Sequence, residues 1–449
     1  MSDTKYLDIV NIIRDRIVSG DYPKGSKLPT HRALALELAT TPATVAKAYK
    51  VLIEKDKIES FVGKGTFVCS DTRLEQVIHS RQDAQVLNLS ILQPCIAYNI
   101  DKLTSKISSC TDNITELDLF GYTENTGLLR HRESGMAWAR HYGLEIASAE
   151  QMLLANGAQH ALSSLIQLYT KPGDTIAVEA QTYPGILSIA HLLGRRLAGV
   201  TMDGQGMLPE ALEALCQQQK IAMVIVLPSH QNPTGATMSE QRRTSLATVI
   251  ERFRLWLVED DIYGFLNENR MEAITNRVPQ QGFHISGLSK AISPGLRCAF
   301  IRAPASQAGH LAAFIRATIW LPPPLMFEVA SGLIHSGDAY QMAKAQQDIA
   351  RRRQKIAGNI LQGYGMSRQP TSYHLWLQLP DSWQADSLAL AAREQNMLVS
   401  SASFFRVGPH SDNAIRLSLM SIADESQYRH ALEKLAALLA TGSAVYGHF

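Results

Sequence analysis

Apolar residues recur at intervals of three and four in three stretches of the first 55 residues, which predicts three helices. The first runs from Tyr6 to about Ser19. The second follows Thr30, which is a good N-cap residue. The third covers about 42–54, because Pro42 suits the first helical position and an apolar face follows it. This face consists of Val45, Ala48, Tyr49 and Leu52.

The pattern then changes to alternation in IESFVGKGTFVC, residues 58–69, around Gly63-Lys64-Gly65. Alternation about a glycine-containing turn predicts a β-hairpin with a basic tip. Three helices followed by a hairpin constitute a winged helix-turn-helix, which we assign to residues 1–70. The polar stretch 71–86 lacks apolar periodicity and is predicted to be a linker.

From residue 87 onward, short apolar runs alternate with helical patterns, which predicts a parallel α/β sheet. We assign 87–449 to this second domain, with a large part at about 115–322 and a small carboxy-terminal part at about 323–449. The predicted strands are MLLA (152–155), TIAVEA (175–180), MVIVLP (223–228), LWLVED (255–260), FHIS (283–286) and CAFIRA (298–303).

Composition adds few constraints. The chain has 449 residues, is 45% hydrophobic and 19% charged, and has a formal charge of +2, as in ordinary globular proteins. The amino terminus does not resemble a signal peptide and no long apolar run could span a bilayer, so a cytoplasmic protein without membrane contact is expected. The five cysteines are scattered and lack the close pairs of zinc sites, so free thiols are expected.

Charge is concentrated at the amino terminus, where residues 1–70 carry eight Lys and three Arg against five Asp and three Glu. The polar face of the third predicted helix is small and hydroxylic near its start and basic further along, as in helices that read the major groove. It carries Ala43, Thr44, Lys47 and Lys50. A small helical interaction domain with solvated lysines is the alternative.

The stretch from Tyr22 to Val68 resembles the DNA-binding domain of GntR-family regulators, through Pro23-x-Gly25-x-x-Leu28-Pro29, Ala48-Tyr49 and Gly63-x-Gly65-Thr66-Phe67. The resemblance implies double-stranded DNA as a partner. Thr41-Pro42 replaces the Ser-Arg pair that is common in the family, so another residue must supply that contact. The predicted phosphate contacts are Arg32, Lys47, Lys50 and Lys64, and the predicted base contacts are Ala43, Thr44 and Lys47.

Polar residues follow four of the predicted strands, at the sheet edge where ligands bind in α/β proteins. A neutral lysine amine forms a Schiff base with an aldehyde, and pyridoxal 5′-phosphate is the commonest such ligand. This cofactor also needs an acid at its ring nitrogen, donors at its ring oxygen, an aromatic neighbour and an anion cradle. Residues of these types are Lys290, Asp260, Asn232, Tyr263, Tyr183, Ala158, Gln159 and Arg297.

From about residue 115 onward the chain resembles a fold-type I aminotransferase, through NGAQHAL, HQNPTG, VEDDIY, SGLSKAISPGLR and AIRLSL. Together with the GntR-like part, it resembles the MocR type of transcriptional regulator. The resemblance implies an internal aldimine at Lys290, the catalytic residue. The implied partners of the other cofactor groups are Asp260 for the ring nitrogen, Asn232 and Tyr263 for the ring oxygen, Tyr183 for the ring face, and Ala158, Gln159, Ser289 and Arg297 for the phosphate.

The same resemblance implies that Arg416 binds a substrate or effector carboxylate. It also implies that Tyr122 contacts the phosphate of a neighbouring subunit in a head-to-tail homodimer. One position departs from the family pattern: Gly287 stands where a phosphate-binding serine is usual, so either Ser286 or backbone amides substitute, or phosphate binding is weaker. Within the acidic run, Glu259 and Asp261 remain alternatives to Asp260.

Three histidines near these motifs, His160, His230 and His284, are expected to be structural, and no metal site is expected. The leading hypothesis is a transcriptional regulator that senses a small amino compound, or the cofactor itself, through Lys290. The alternatives are a working aminotransferase that carries a DNA-binding domain, and a vestigial domain retained for dimerisation.

Overall fold

The computed structural model describes residues 5–19, 21–22, 26–54, 57–61, 65–68, 86–112, 119–122, 126–408 and 412–442. The chain divides into two compact units, which we call the amino-terminal unit (Met1–Thr72) and the carboxy-terminal unit (Arg73–Phe449).

The amino-terminal unit confirms the predicted helices and hairpin. Its elements are α1 (Lys5–Ser19), α2 (His31–Glu37), α3 (Pro42–Glu54), β1 (Ile58–Phe61) and β2 (Gly65–Val68), with the two strands antiparallel.

Two threonines cap helices α2 and α3 of this unit, and the Thr30 cap was predicted. Thr30 Oγ1 accepts a hydrogen bond from Ala33 N at 3.2 Å, and Thr41 Oγ1 accepts one from Thr44 N at 3.2 Å. The predicted apolar face of α3 is buried, and it packs with apolar residues of α1 and α2 in one core. Apolar periodicity therefore determined both the helices and the faces that they bury.

A mixed seven-stranded sheet organises the carboxy-terminal unit, in the order β4-β12-β11-β10-β9-β5-β6. Its strands are β4 (Met152–Asn156), β5 (Thr175–Glu179), β6 (Arg196–Val200), β9 (Met223–Val226), β10 (Trp256–Asp260), β11 (Gly282–Gly287) and β12 (Cys298–Arg302).

All six predicted strands of this sheet are present, but strand β6 and the antiparallel direction of β12 were not predicted. Strand β6 is a partly exposed edge strand that contains arginine and glycine, so it lacks an apolar run. Strand β12 is antiparallel to both of its neighbours, β11 and β4, which makes the sheet mixed.

Helices cover both faces of this sheet. The helices are α4 (Ile100–Asp112), α5 (Leu129–His141), α6 (Gly157–Tyr169), α7 (Pro184–Leu192), α8 (Pro209–Gln218), α9 (Glu240–Arg252), α10 (Ile274–Arg277), α11 (Ala308–Ile319), α12 (Pro324–His335), α13 (Asp338–Ile360), α14 (Ala385–Glu394) and α15 (Glu425–Thr441). Helices α6, α7 and α11 pack on one face of the sheet, and α8, α9 and α10 pack on the other. Helices α5, α12 and α13 form a further layer with β4 and β12.

A smaller antiparallel sheet, ordered β13-β14-β17-β16, lies under α14 and α15. Its strands are β13 (Met366–Ser367), β14 (His374–Gln378), β16 (Ser400–Ser401) and β17 (Ala414–Ser418). Two short pairs complete the unit: β3 (Leu87–Asn88) runs parallel to β15 (Met397–Leu398), and β7 (Met202–Asp203) pairs with β8 (Gly206–Met207). Within the described residues, no helix has the length and apolar character needed to cross a membrane.

Candidate cofactor site and DNA-binding face

Strand direction brings the motifs of the carboxy-terminal unit to one edge of the large sheet. Strand β10 ends at Asp260, and the parallel strand β11 ends just before Lys290. Because β12 is antiparallel, its first residue lies at that same edge, and it is preceded there by Arg297. Because the sheet is mixed, the end of β11 and the start of β12 lie at the same edge of the sheet.

Lys290 is half-buried and donates a hydrogen bond from Nζ to the Leu92 carbonyl oxygen at 2.7 Å. The Tyr373 hydroxyl donates to the Lys290 carbonyl oxygen, also at 2.7 Å, and so fixes the backbone of this turn. The pKa of the Lys290 ammonium is lowered to about 8. Burial is the main cause, the positive charges of Arg416 and Arg297 act in the same direction, and the charge of Asp260 opposes them. A large fraction of this amine is therefore neutral near pH 8.

The three carboxylates of the acidic run have different partners. Glu259 is fully buried and accepts hydrogen bonds from the backbone of α10, at Ile274 N (2.9 Å) and Thr275 N (2.9 Å). Asp261 lies 3.7 Å from His284 Nε2. Asp260 is only 3% exposed, and its Oδ1 atom has no hydrogen-bond partner among the described residues. Asp261 Oδ1 also has no partner there, but Asp260 is the one of the three carboxylates whose charge acts on Lys290 and Tyr183.

Burial, together with the charge of the neighbouring Asp261, raises the pKa of Asp260 to about 7. The pKa of Asp261 is lowered instead: burial acts to raise it, but hydrogen bonding to His284 and the charge of Arg243 outweigh that effect. Two adjacent aspartates are therefore shifted in opposite directions.

We expect opposite stability effects from Asp260→Asn and Asp261→Asn in the cofactor-free protein. A carboxyl whose folded pKa is raised destabilises the fold as pH rises from about 4 to 7, so Asp260→Asn should raise the melting temperature at pH 8 by a few degrees. Asp261→Asn should lower the melting temperature at pH 8, because a carboxyl with a lowered pKa stabilises the fold above its unfolded pKa. Thermal melts at pH 8 and pH 5 measure both effects, and Asp260→Asn should lose most of its advantage at pH 5, near the lower end of that range. Shifts of the same sign in both variants would contradict these assignments.

An anion cradle is formed at the start of α6. Gly157 has φ +77, and a Cβ atom there would lie 2.2 Å from Arg297 Nη2, so glycine allows the guanidinium to approach the helix end. Arg297 Nη2 donates to the Asn156 carbonyl oxygen at 3.3 Å. Ala158 and Gln159 are half-buried in the first turn of this 13-residue helix, where backbone N–H groups favour an anion.

The Gly287 departure has a steric reason. A Cβ atom at Gly287 would lie 2.9 Å from the Cys298 carbonyl oxygen on the paired strand, so this position excludes a serine side chain. Ser286 is buried, and its Oγ atom has no hydrogen-bond partner in the part of the chain that the structure describes. Ser289, the other serine near Lys290, is half-buried.

Arg416 lies in the middle of β17 and is 2% exposed. Its Nη1 donates to Asn232 Oδ1 at 2.8 Å, and its Nη2 donates to Ser400 Oγ at 3.1 Å and to the Ser90 carbonyl oxygen. It forms no ion pair with any residue that the structure describes, and its Nε atom is unpartnered there. Burial lowers the pKa of Arg416 to about 10. The guanidinium is thus a buried cation that has neutral hydrogen-bond partners and no counter-ion among the described residues.

Two tyrosines lie near these groups. Tyr263 is buried, and its ring centroid lies 6.1 Å from that of Tyr373. Tyr183 is half-buried at the start of α7, and burial together with the Asp260 charge raises its pKa to about 12. The interactions of Asp260, Arg297 and Arg416 with Tyr183 show that the predicted cofactor residues share one electrostatic environment.

Tyr122 lies apart from these residues. It is 86% exposed, and its ring packs against Trp320 with 5.0 Å between the centroids. Its predicted role at the phosphate of a neighbouring subunit stays a prediction.

Among the histidines, His160 accepts a hydrogen bond from Asn156 N at 3.2 Å, which supports the start of α6. His230 is buried, and burial lowers its pKa to about 4. Glu259, Asp261 and His284 place one ligand atom each within 4.8 Å of one another, although no metal site was predicted. The Glu259 oxygens already accept the α10 hydrogen bonds, so this cluster joins α10 to the sheet.

Most of the predicted DNA-binding residues are exposed on the amino-terminal unit. Arg32, Ala43, Lys47 and Lys50 are exposed, and Thr44 is half-buried with its hydroxyl 2.8 Å from that of Thr41. The ammonium of Lys47 lies over the Tyr6 ring, 4.4 Å from its centroid. Lys64 lies outside the described residues.

The sequence did not identify several residues that contact this site. Tyr373, Ser400 and the Ser90 and Leu92 carbonyls reach Lys290 or Arg416 from parts of the chain without a recognised motif. Polar side chains and backbone carbonyls carry no local signal of this kind, because only the tertiary fold brings them to the site.

Comparison with known proteins gives two family matches, to aminotransferase class I and II over residues 84–435 and to the bacterial regulatory proteins of the gntR family over residues 5–68. The chain belongs to the class I and II aminotransferase family. Its gntR-family match lies within the amino-terminal unit, so the chain has the MocR arrangement of a GntR helix-turn-helix and an aminotransferase-like domain.

Two similar relatives extend over nearly the whole chain. The uncharacterized HTH-type transcriptional regulator YdeF of Bacillus subtilis is 27% identical, covering 97% of this chain and 94% of its own length. The vitamin B6 salvage pathway transcriptional repressor PtsJ of Salmonella typhimurium is 25% identical, covering 93% of this chain and 94% of its own length. The kynurenine aminotransferase of Pyrococcus horikoshii shares the fold of the carboxy-terminal unit, with a TM-score of 0.74, 21% identity, and coverage of 83% of this chain and 95% of its own.

The family match supports pyridoxal phosphate as the cofactor. The residues of the site fit this group, since Asp260 Oδ1 is a buried acceptor without a partner, and Gly157 leaves a cradle at a helix start that faces Arg297. A half-buried lysine with a lowered pKa completes the set.

Proposed function

We propose that the chain is a DNA-binding transcriptional regulator that binds pyridoxal phosphate at Lys290 and responds to a small amino compound or to the cofactor itself. One observation carries the proposal: a chain with a gntR-family unit also has, in its aminotransferase-like unit, a lysine with a lowered pKa and a buried carboxyl with one unpartnered oxygen. The relative PtsJ is a transcriptional repressor of a vitamin B6 salvage pathway, which lends the proposal further support.

The proposed roles follow from position and charge. Pyridoxal phosphate supplies an aldehyde for amines and a ring that withdraws electrons. Lys290 would hold the aldehyde, Asp260 would keep a proton on the ring nitrogen, and Arg416 would bind a carboxylate. Asn232 and Tyr263 would bind the ring oxygen, Tyr183 would pack on the ring, and Ala158, Gln159, Ser289 and Arg297 would bind the phosphate.

DNA affinity measured with and without ligands tests the proposal. The purified full chain is titrated with its own upstream DNA, first alone, then with pyridoxal phosphate, and then with pyridoxal phosphate and candidate amino acids. We expect binding that at least one ligand changes. Rapid multiple turnover of amino donors and keto acids without any DNA binding would instead establish a working aminotransferase. Failure to bind pyridoxal phosphate would support a vestigial domain.

Lys47→Ala is expected to weaken DNA binding and to make its salt dependence shallower. Each lysine that neutralises a phosphate releases about one counterion, so the slope of log K against log salt should fall by roughly 0.9. Arg14→Ala is the matched control, because Arg14 is an exposed cation of α1 that lies next to Asp15. Titrations at several salt concentrations give both slopes, and equal slopes for Lys47→Ala and the wild type would contradict the assignment.

We also propose that two chains associate, with Tyr122 of each reaching the phosphate of the other. Support comes from two exposed apolar side chains beside it, Phe120, which lies two residues earlier in the chain, and Trp320, which packs against its ring. In this proposal residues 1–70 bind DNA, residues 71–86 link the domains, and residues 87–449 bind the cofactor, with a division near 322.

A further inference from the structure

Residues 86–99, which we call the linker-adjacent segment, follow the predicted linker and run into the site. Backbone carbonyls in the middle of this segment accept hydrogen bonds from the two cations that the proposed function assigns to ligands. Leu92 O accepts from Lys290 Nζ at 2.7 Å, and Ser90 O accepts from Arg416 Nη2. Ser90 is 5% exposed and Leu92 is 9% exposed, so water can replace these donors only to a limited extent.

The two ends of the segment are held independently of those cations. At its start, Leu87 N donates to Asn396 O at 2.9 Å and Leu89 N donates to Leu398 O at 2.8 Å, which forms the β3–β15 pair. At its end, Asn99 Nδ2 donates to the carbonyl oxygens of Ala291 and Ile292, at 3.0 and 2.8 Å.

Gln346 completes the attachment of the far end. It donates to Cys95 O and to Asn99 Oδ1, both at 3.1 Å, and accepts from Cys95 N at 2.8 Å. Asn99 and Gln346 are fully buried, and they connect the segment to the turn that carries Lys290. The fixed ends therefore flank a middle part whose hydrogen bonds depend on the state of Lys290 and Arg416.

A ligand at the site would draw both donors, Lys290 Nζ and Arg416 Nη2, away from the carbonyls of the segment. A lysine ammonium has three N–H groups, and a C=N bond to an aldehyde leaves one at most. A carboxylate at Arg416 competes for the guanidinium with a charge-assisted hydrogen bond, which is stronger than one to a neutral carbonyl. A buried carbonyl that loses its donor must find another partner, so the middle of the segment has to move.

We propose that the linker-adjacent segment is the element that reports occupancy of the cofactor site to the DNA-binding unit. The inference rests on the proposed function. Loading of Lys290 releases Leu92, an effector carboxylate releases Ser90, and the chain continues from this segment through residues 69–85 to the amino-terminal unit.

Hydrogen exchange of the full chain, followed by mass spectrometry, tests the proposal. Peptides that cover residues 86–99 are compared with and without pyridoxal phosphate, and cofactor loading is verified on the same samples by mass. We expect loading to increase exchange in the middle of the segment, at residues 90–93, while the amides of Leu87 and Leu89 in the β3–β15 pair stay protected. Unchanged exchange in a loaded protein would overturn the proposal.

A variant of the segment provides the second arm. Asn88 Oδ1 accepts from Ser90 N at 2.9 Å and from Ser90 Oγ at 2.7 Å, so Asn88→Ala removes the turn that orients the Ser90 carbonyl. We expect Asn88→Ala to bind pyridoxal phosphate as the wild type does, while the change in DNA affinity caused by ligand falls roughly two- to tenfold, as for the loss of one or two hydrogen bonds. Full retention of that change would overturn the proposal.

Asn276→Ala is the matched control. Asn276 Oδ1 also accepts a backbone N–H, from Glu145 at 2.8 Å, and its Nδ2 donates to Gly143 O at 2.9 Å. It should alter exchange near 143–145 and leave the ligand effect on DNA affinity unchanged. The two proposals fail in different ways: if the chain binds neither DNA nor pyridoxal phosphate, the proposed function is wrong, whereas a ligand response with unchanged exchange at 86–99 removes only the role of the segment.

Discussion

Lys290→Ala is expected to abolish covalent attachment of pyridoxal phosphate while the ligand-free protein still binds DNA. The aldehyde reacts with a neutral amine, and burial in the electrostatic field of Arg416 and Arg297 lowers the pKa of Lys290 to about 8. Alanine removes this nucleophile. Borohydride reduction followed by peptide mass spectrometry should find a pyridoxyl group on the wild-type peptide that contains Lys290, and no such group in the variant.

Lys434→Ala is a close control for this experiment. Lys434 Nζ also donates to a backbone carbonyl oxygen at 2.7 Å, that of Gln395, but it lies on α15. The control should retain the pyridoxyl group on Lys290. In the wild type, the rate of attachment should rise with pH and level off near pH 8, since deprotonation of Lys290 increases the reactive fraction. A rate that continues to rise toward pH 10, near the usual lysine pKa, would contradict the role of its environment.

Much of the fold was predictable because short-range patterns determine it. The apolar face of α3 and its Thr41 cap define that helix within the sequence, and six strands of the large sheet are apolar runs. Strand β6 was missed because an edge strand does not need to be apolar. The direction of β12 was not predictable, since an apolar run has the same appearance in either direction. That direction nevertheless places Arg297 at the site.

The candidate site was predictable only in part, because local patterns do not show which distant residues the fold brings together. Motifs located Lys290, Asp260 and Arg416, but their partners come from distant parts of the chain that carry no motif. The choice among Glu259, Asp260 and Asp261 needed the structure, because only the fold shows that Glu259 binds α10, that Asp261 lies beside His284, and that the charge of Asp260 acts on Lys290. The Gly287 departure likewise has a reason that the sequence does not contain, namely the nearby Cys298 carbonyl on β12.

Arg416→Lys is expected to weaken the response to amino acids by about 10- to 100-fold, while amines without a carboxylate keep their effect. Arg416 is buried and forms no ion pair with the described part of the chain, so a ligand carboxylate would be its counter-ion. Lysine preserves the charge but cannot offer two parallel N–H groups to a carboxylate. Titration of the pyridoxal phosphate-loaded protein, by absorbance and by DNA affinity, with an amino acid and with the matching decarboxylated amine gives the two effects separately.

Arg302→Lys is the matched control, since Arg302 is also buried and donates to carbonyl oxygens, those of Pro279 and Gly282 at 3.0 Å each. Any general cost of replacing a buried arginine should affect both variants and both ligands. Only Arg416→Lys should change the ratio between the amino acid and the amine, because only that ratio isolates the carboxylate. Equal losses for the two ligands in Arg416→Lys would mean that Arg416 supports the fold through Asn232, Ser90 and Ser400 and does not bind the effector.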